Sequence, residues 1–368
     1  MSRLKSTLAN ALLVIVSIVL TFLSLEVFLW AWAATHTAQP KPVAAVPAPS
    51  TEFDAEILIP PEILAAAKAR LQVLSMPEAW KRRPTQVPGA AHAEYWQGVL
   101  HVLNAEGRRW AKPYPEKQND SYRVLVVGDS LTYGFGIPEE WRFTDLLNKW
   151  MGEKFKIEFL NLGNCGYQSE DILNLIKTHL PKLKPNLVLY AICLNDFLPS
   201  GVGEYNVPSA YPFPLPDSVK NFLIRHTRSG AFLNETYDAA LRRLHLRTDF
   251  FDDILKDFKG YQQRFGRDVA EMNRIVLTAG LPPLVGLVVD QYPAYGSRGY
   301  QIAMIAESAL AKAGAVVIPT EDFYRRYNGQ AMFVSRWEGH PNEVANIIWA
   351  NMIARALRDR PNIQAYER

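Results

Sequence analysis

Cysteine is nearly missing from this sequence: Cys165 and Cys193 are the two thiols in 368 residues. Two cannot build a disulfide framework, and their spacing matches no metal-binding pattern. An excess of charge of one sign is also missing. Lys and Arg number 40 against 37 Asp and Glu, a formal net charge of +3. The signs are interspersed, with no basic stripe or nucleic-acid motif, so nucleic acid is set aside as a partner. No internal repeat is visible. Lys and Arg are absent altogether between Lys5 and Lys41, and that gap contains the longest apolar run in the chain.

The run extends from about Leu8 to Ala34 and exceeds the ~20 residues that span a bilayer. Arg3 and Lys5 precede it, which predicts residues 1–7 as a cytoplasmic tail and the rest of the chain outside the cytoplasm. Ala31-Trp32-Ala33 has the small-x-small form of a signal-peptidase site. The run is nevertheless far longer than the roughly 7–15 residues of a signal-peptide core, which favours an uncleaved single-pass anchor in the cytoplasmic membrane. Trp30 and Trp32 suit an interfacial aromatic belt. Glu26 interrupts the run and is tolerable if protonated, near the far interface, or met by a partner helix. Residues 35–51 read as a Pro/Ala linker. Residues 52–121 read as an N-terminal extension, helical near Glu62–Leu74 and then irregular, with Tyr95, Trp96 and Trp110, a packing collar on the main domain.

From Tyr122 to the C-terminus apolar strand-like runs alternate with helical patterns. Strands are expected at Arg123–Val127, Lys156–Leu162, Leu187–Cys193, Leu284–Val289 and Ala315–Pro319. Helices are expected near Trp141–Met151, Ser169–His179, Phe251–Ala279, Ser297–Ala313 and Asn342–Arg358. Such alternation implies an α/β domain over 122–368 with a parallel sheet and helices on both faces. The alternation lapses at about 197–250. This insertion leaves from a strand's C-terminal end and reads as either a lid on the active edge or a surface excursion.

The chain is organised around Arg123–Gly136, RVLVVGDSLTYGFG. The run Val124–Val127 reads as a buried strand that stops at Gly128-Asp129-Ser130. Open α/β folds place their sites at such strand ends, where the first amides of the next helix can stabilise negative charge. On this stretch alone, Ser130 is equally well a nucleophile or a helix cap. Three further segments occupy comparable stations: Asn161-Leu162-Gly163-Asn164-Cys165-Gly166, Cys193-Leu194-Asn195-Asp196, and Glu338-Gly339-His340-Pro341-Asn342 opening the last helix.

These four segments, in this order, resemble the blocks of the SGNH, or GDSL, hydrolase superfamily, and His101–Arg109 (HVLNAEGRR) is similar to the segment before the nucleophile in membrane-anchored members. The resemblance implies a three-layer α/β/α, flavodoxin-like parallel sheet. It assigns Ser130 as nucleophile and His340 as its base, the role a side chain with an ordinary pKa of ~6.5 suits. The oxyanion hole would be the backbone amides of Ser130 and Gly166 and the carboxamide of Asn195. Asp129 and Asp196 are supporting residues, and no metal or organic cofactor is implied.

Two positions depart from the family pattern. Members commonly carry Asp three or two residues before the histidine, where this chain has Trp337 and Glu338. Glu338 either orients the imidazole, completing a Ser-His-Glu triad, or is a solvated loop acid beside a Ser-His dyad. Cys193 stands where the third block usually has Gly, and Cys165 and Cys193 are expected to be buried free thiols. The resemblance implies a serine esterase acting through an acyl-enzyme outside the cytoplasm, with acylated envelope glycans or lipids as candidate partners. O-acyl transfer to a polysaccharide, or an inactive glycan-binding module, are the alternatives.

Overall fold

An apolar run with no polar alternation, such as Val124–Val127, needs cover on both of its faces. In the computed structural model of the protein, Tyr122–Gly128 is a strand buried along its whole length. The structure describes residues 13, 16–17, 20–29, 31, 59–72, 83–88, 90–96, 99–109, 114–201, 213–244, 250–257, 260–335 and 338–367. They fall into two compact units, Pro49–Asn206 with Phe250–Arg368, and Met1–Ala48 with Val207–Asp249.

The larger unit starts with helix α1 (Pro61–Gln72) and strands β1 (Arg83–Thr85), β2 (His92–Trp96), β3 (Val99–Leu103) and β4 (Tyr122–Gly128). There follow α2 (Ser130–Tyr133), α3 (Phe143–Lys154), β5 (Ile157–Asn161), α4 (Ser169–Leu183) and β6 (Leu187–Ile192). Helices α5 (Asp217–His226) and α6 (Arg228–Arg243) belong to the smaller unit. The larger one resumes with α7 (Phe250–Leu255), α8 (Tyr261–Thr278), β7 (Val285–Val288), α9 (Arg298–Lys312) and β8 (Val316–Ile318). It ends with α10 (Glu321–Arg326), β9 (Phe333–Ser335), β10 (Glu338–Pro341), α11 (Glu343–Arg358) and α12 (Pro361–Gln364).

Five strands pair in the order β5-β4-β6-β7-β8, every neighbour parallel. This is the doubly wound order in which the chain reverses direction across the sheet between β4 and β6. The β4–β5 crossover runs opposite to the later ones, so right-handed connections put its helix on the other face. The helix contacts agree: α3 packs on α11, while α8 packs on α4 and α9. Both faces of β4, β6 and β7 are thereby covered, and these strands are buried throughout. At the N-terminal end of β4, Arg123 is buried yet fully engaged. It donates to Glu158 at 2.8 Å, the Leu183 carbonyl at 2.9 Å and the Pro115 carbonyl at 2.7 Å, as a buried cation must.

Three expectations need correction. The segment 251–279 is two helices, because Asp257 and Gly260 adopt φ of 49° and 68° and break the turn between them. The aromatic part of the N-terminal extension is not irregular: β1, β2 and β3 form an antiparallel sheet with Ala93 opposite Val102. Its strands are short and carry polar residues, so their alternation is faint. The His340 segment does not simply open the last helix. It is strand β10, paired antiparallel with β9. Helix α1 lies against β9 and α11, so the N-terminal extension supports the hairpin that carries His340.

The junction between β4, β5 and α2 is too tight for any side chain. A Cβ on Gly163 would lie 2.3 Å from the Tyr133 backbone nitrogen and 2.6 Å from the Thr132 carbonyl carbon. Main chain cannot swing aside as a side chain can. Gly163→Ala is therefore expected to lower stability by about 1–3 kcal/mol, the usual cost of overpacking. A fall in the urea midpoint with unchanged m-value would show it.

In the smaller unit residues 20–29 are helical, and α5 packs against α6. Among the described residues no helix is long and apolar enough to cross a membrane. Much of the 8–34 run, all of 1–7 and 35–51, Trp30, Trp32, Trp110, Trp337 and residues 202–212 of the insertion lie outside the described residues.

Candidate active site

Val124–Val127 end at the carboxyl edge of the sheet, and the turn there is built by Asp129. Its Oδ1 accepts the Leu131 N–H at 2.9 Å, making Asp129 the N-cap of α2. The cap reading of Ser130 is thus corrected: Ser130 is the first residue inside the helix, its hydroxyl donating to Asp129 Oδ2 at 3.3 Å. Helix α2 is only one turn long, closed by Gly134 at φ 77°. Asn161 at the end of β5 ties it down, donating to the Thr132 carbonyl at 2.7 Å and accepting the Gly163 N–H at 2.8 Å. Gly166 follows in the same loop at φ 77°, a conformation open to glycine and costly for other residues.

Strand β6 delivers the third segment as a short 3-10 turn, Leu194–Phe197. Asp196 braces it, its Oδ2 accepting the Tyr190 hydroxyl at 2.7 Å and the Cys193 N–H at 3.0 Å. Asp196 Oδ1 and Asn195 Oδ1 are both buried without a hydrogen-bond partner among the described residues. Burial and the Asp129 charge push the Asp196 carboxyl well above the usual range. Asp129 is raised by burial too, opposed by its Leu131, Cys193, His340 and Ser130 neighbours.

A raised carboxyl pKa stabilises the fold fully below the unfolded value of 3.8 and loses that contribution as pH climbs through the native value. Asp196→Asn keeps an oxygen acceptor and does not titrate. Its melting temperature relative to the parent is therefore expected to rise as pH increases from ~4 to ~8, the range opened by ordinary carboxylate titration. A pH-independent difference would contradict this.

His340 stands on β10, whose register with β9 shifts between Glu338 and Pro341. Glu338 meets it across this irregular stretch: the carboxylate contacts Nδ1 through Oε1, which also accepts the His340 backbone N–H at 3.1 Å. On its flank the imidazole lies against Phe135, ring centroids 4.7 Å apart. Asn342 fixes the other end of the strand. It caps α11 by accepting the Val344 N–H at 3.0 Å and donates to the Phe333 carbonyl at 3.0 Å. The helix carrying Ser130 and the strand carrying His340 are in contact.

Several contributors escaped the sequence reading. Phe135 belongs to a cluster with Trp96, His101 and Tyr133, and His101 Nδ1 lies 3.2 Å from the Tyr133 hydroxyl. Arg109 is buried, its pKa lowered to about 10 by that burial and by Arg142. It donates to the carbonyls of Gly134 and Ile137, the latter at 2.6 Å, and so shapes the loop that carries Phe135. Tyr133 and Phe135 follow the nucleophile and His101 and Arg109 sit in the His101–Arg109 stretch, but nothing local joins them to one another or to Trp96. Cys193 is buried as expected, but Cys165 is exposed, a second correction, and the two are not joined in a disulfide. Cys165 lies four residues beyond the end of β5, in a turn. Among the described residues no group of three or more His, Cys, Asp or Glu could hold a metal ion.

No family model matches the chain, and no curated sequence does. Solved structures are similar to it. TesA shares 17% identity over 64% of this chain and 98% of its own, with a TM-score of 0.41. The psychrotrophic esterase EstA from Pseudoalteromonas sp. shares 14% over 65% and 97%, with a TM-score of 0.39. A member of the lipolytic protein G-D-S-L family from Veillonella parvula shares 12% over 65% and 100%, with a TM-score of 0.37. At this similarity the chemistry has to be argued from the site itself.

Proposed function

We propose that the protein is a serine carboxylic-ester hydrolase of the SGNH type, held at the outer face of the cytoplasmic membrane by its N-terminal apolar run. One observation carries the reading. The strand bearing His340 lies against the helix bearing Ser130, while Glu338 engages Nδ1 and so leaves Nε2 as the available base.

In this reading the Ser130 hydroxyl gives up its long bond to Asp129, passes its proton to Nε2 and attacks the ester carbonyl. Negative charge gathers on the former carbonyl oxygen, within reach of the Ser130 and Gly166 amides and the Asn195 carboxamide. The imidazolium, held by the Glu338 carboxylate, returns its proton to the leaving alcohol. Water then repeats the sequence on the acyl-enzyme, with His340 again as base, and frees the acid and Ser130. Acylated envelope glycans or lipids are the proposed substrates, on grounds of where the anchor would place the site.

The test is a fluorophosphonate probe on the full chain in detergent, followed by peptide mapping. Labelling is expected on the peptide that contains Ser130. Absence of labelling would favour an inactive binding module. Acetate appearing on an added glycan faster than in free solution would move the same acyl-enzyme to acyl transfer.

A further inference from the structure

The smaller unit contains a carboxylate in an unusual place. Glu26 lies within the N-terminal helical segment 20–29, among apolar neighbours. Its Oε1 accepts the Arg228 N–H at 3.1 Å, and Oε2 accepts the Ser229 N–H at 2.7 Å and the Ser229 hydroxyl at 2.5 Å. Those amides open the first turn of α6, where main-chain donors lack partners within the helix and the dipole favours an anion. Glu26 is thus an N-cap supplied from a distant part of the sequence. Ser229 is fully buried in the arrangement.

The corner before α6 is equally well made. Thr227 donates to the Leu223 carbonyl at 2.9 Å and accepts the Gly230 N–H at 2.9 Å. A Cβ on Gly230 would come within 2.5 Å of the Leu223 main chain, so α5 and α6 pack closely there. The outward surface of the α5–α6 pair is strongly apolar. Phe222 is 60% exposed and Leu244 65%, matched on the N-terminal segment by Val27 at 69% and Phe28 at 58%. A cavity of about 380 Å³ opens between the segment and the hairpin, lined by Phe22, Leu23, Phe213, Leu223 and Leu233, with Lys220 as its cation. Basic residues exceed acidic ones over 217–243, with Lys220, Arg225, Arg228, Arg242 and Arg243 against Asp217, Glu235 and Asp238.

An apolar surface on a segment with an excess of basic residues is the composition of a helix that lies in a lipid interface. We infer that the α5–α6 hairpin is a second membrane element, seated in the bilayer interface and docked onto the N-terminal helix through Glu26, with the cavity occupied by a lipid acyl chain. Continuity argues for lipid as the occupant. The apolar surface of the hairpin extends that of a run long enough to span a bilayer. The docking also answers why a carboxylate is kept in that run: Glu26 and the α6 amides satisfy one another, where either set alone would be costly to hold in hydrocarbon.

The inference rests on the anchored reading above, and the test separates the two. The full chain carrying Cys165→Ser is reconstituted into phosphatidylcholine/phosphatidylglycerol vesicles. A polarity-sensitive fluorophore is attached at Phe222→Cys, Leu244→Cys or, as control, Lys182→Cys. Blue-shifted emission and quenching by a shallow doxyl lipid are expected at 222 and 244 and not at 182. Chain retained on vesicles through an alkaline carbonate wash, but with all three labels equally exposed to water, would overturn the hairpin and leave the anchor. Chain released by the wash would overturn both. Glu26→Leu is expected to abolish the quenching at 222 while the chain stays on the vesicles; unchanged quenching would refute the docking role of Glu26.

Discussion

Alanine at Ser130 or at His340 is expected to reduce kcat for p-nitrophenyl acetate by about a millionfold, the loss seen when either member of a triad is removed. The two changes should not multiply. A nucleophile without its base and a base without its nucleophile are equally idle, so the double variant should resemble each single one. Asn195→Ala offers a graded comparison. On the proposed reading it removes one of three oxyanion donors and leaves the proton path intact, for a loss of roughly 10²–10³ in kcat. Circular dichroism should be unchanged for Ser130→Ala, because among the described residues its hydroxyl makes just the long hydrogen bond to Asp129 at 3.3 Å. Hydrolysis by Ser130→Ala at the parental rate would end the proposal outright.

Glu338→Gln should cost about 10⁴ in kcat, as the equivalent carboxylate-to-amide change does when it forces the wrong imidazole tautomer. Glu338 Oε1 faces both Nδ1 and the main-chain N–H of His340. A carboxylate offers only acceptors, so the Nδ1 proton must point to it and Nε2 must be bare. A carboxamide can turn its NH2 group to Nδ1 and leave the proton on Nε2, where it blocks attack. It also removes the negative charge that favours imidazolium in the transition state. A loss smaller than about tenfold would identify a Ser-His dyad and reduce Glu338 to a brace of the β10 main chain, a contribution of the size of one ordinary hydrogen bond.

Glu338 also shows where reading a sequence stops. A separation of two residues looks too short for one side chain to orient the other if the segment is a loop. In the folded chain the register of β10 shifts between Glu338 and Pro341, and there the Glu338 carboxylate reaches both the main-chain N–H and Nδ1 of His340. What distinguishes these cases is the pairing of β10 with β9, a partner recognisable only after the chain has folded. The N-cap is a similar case. Asp129 and Ser130 are both good capping residues, and the geometry at the end of β4 gives the role to Asp129. The cluster around Phe135 lies further still from view, since it joins Trp96 and His101 of the N-terminal sheet to the nucleophile loop and the imidazole.

Much else was legible because it depends on local rules. Apolar β-branched runs separated by helical periods specify a parallel α/β sheet whatever the details of packing. Right-handed crossovers then bring the ends of β4, β5 and β6 to one edge, so residues 130, 166 and 195 are gathered there by topology. Long-range pairing is different in kind. The His340 hairpin, the docking of Glu26 onto α6 and the split of 251–279 into two helices each depend on which surfaces find one another. That choice is made by burial and hydrogen-bond satisfaction summed over the folded chain, and no short stretch of residues encodes it.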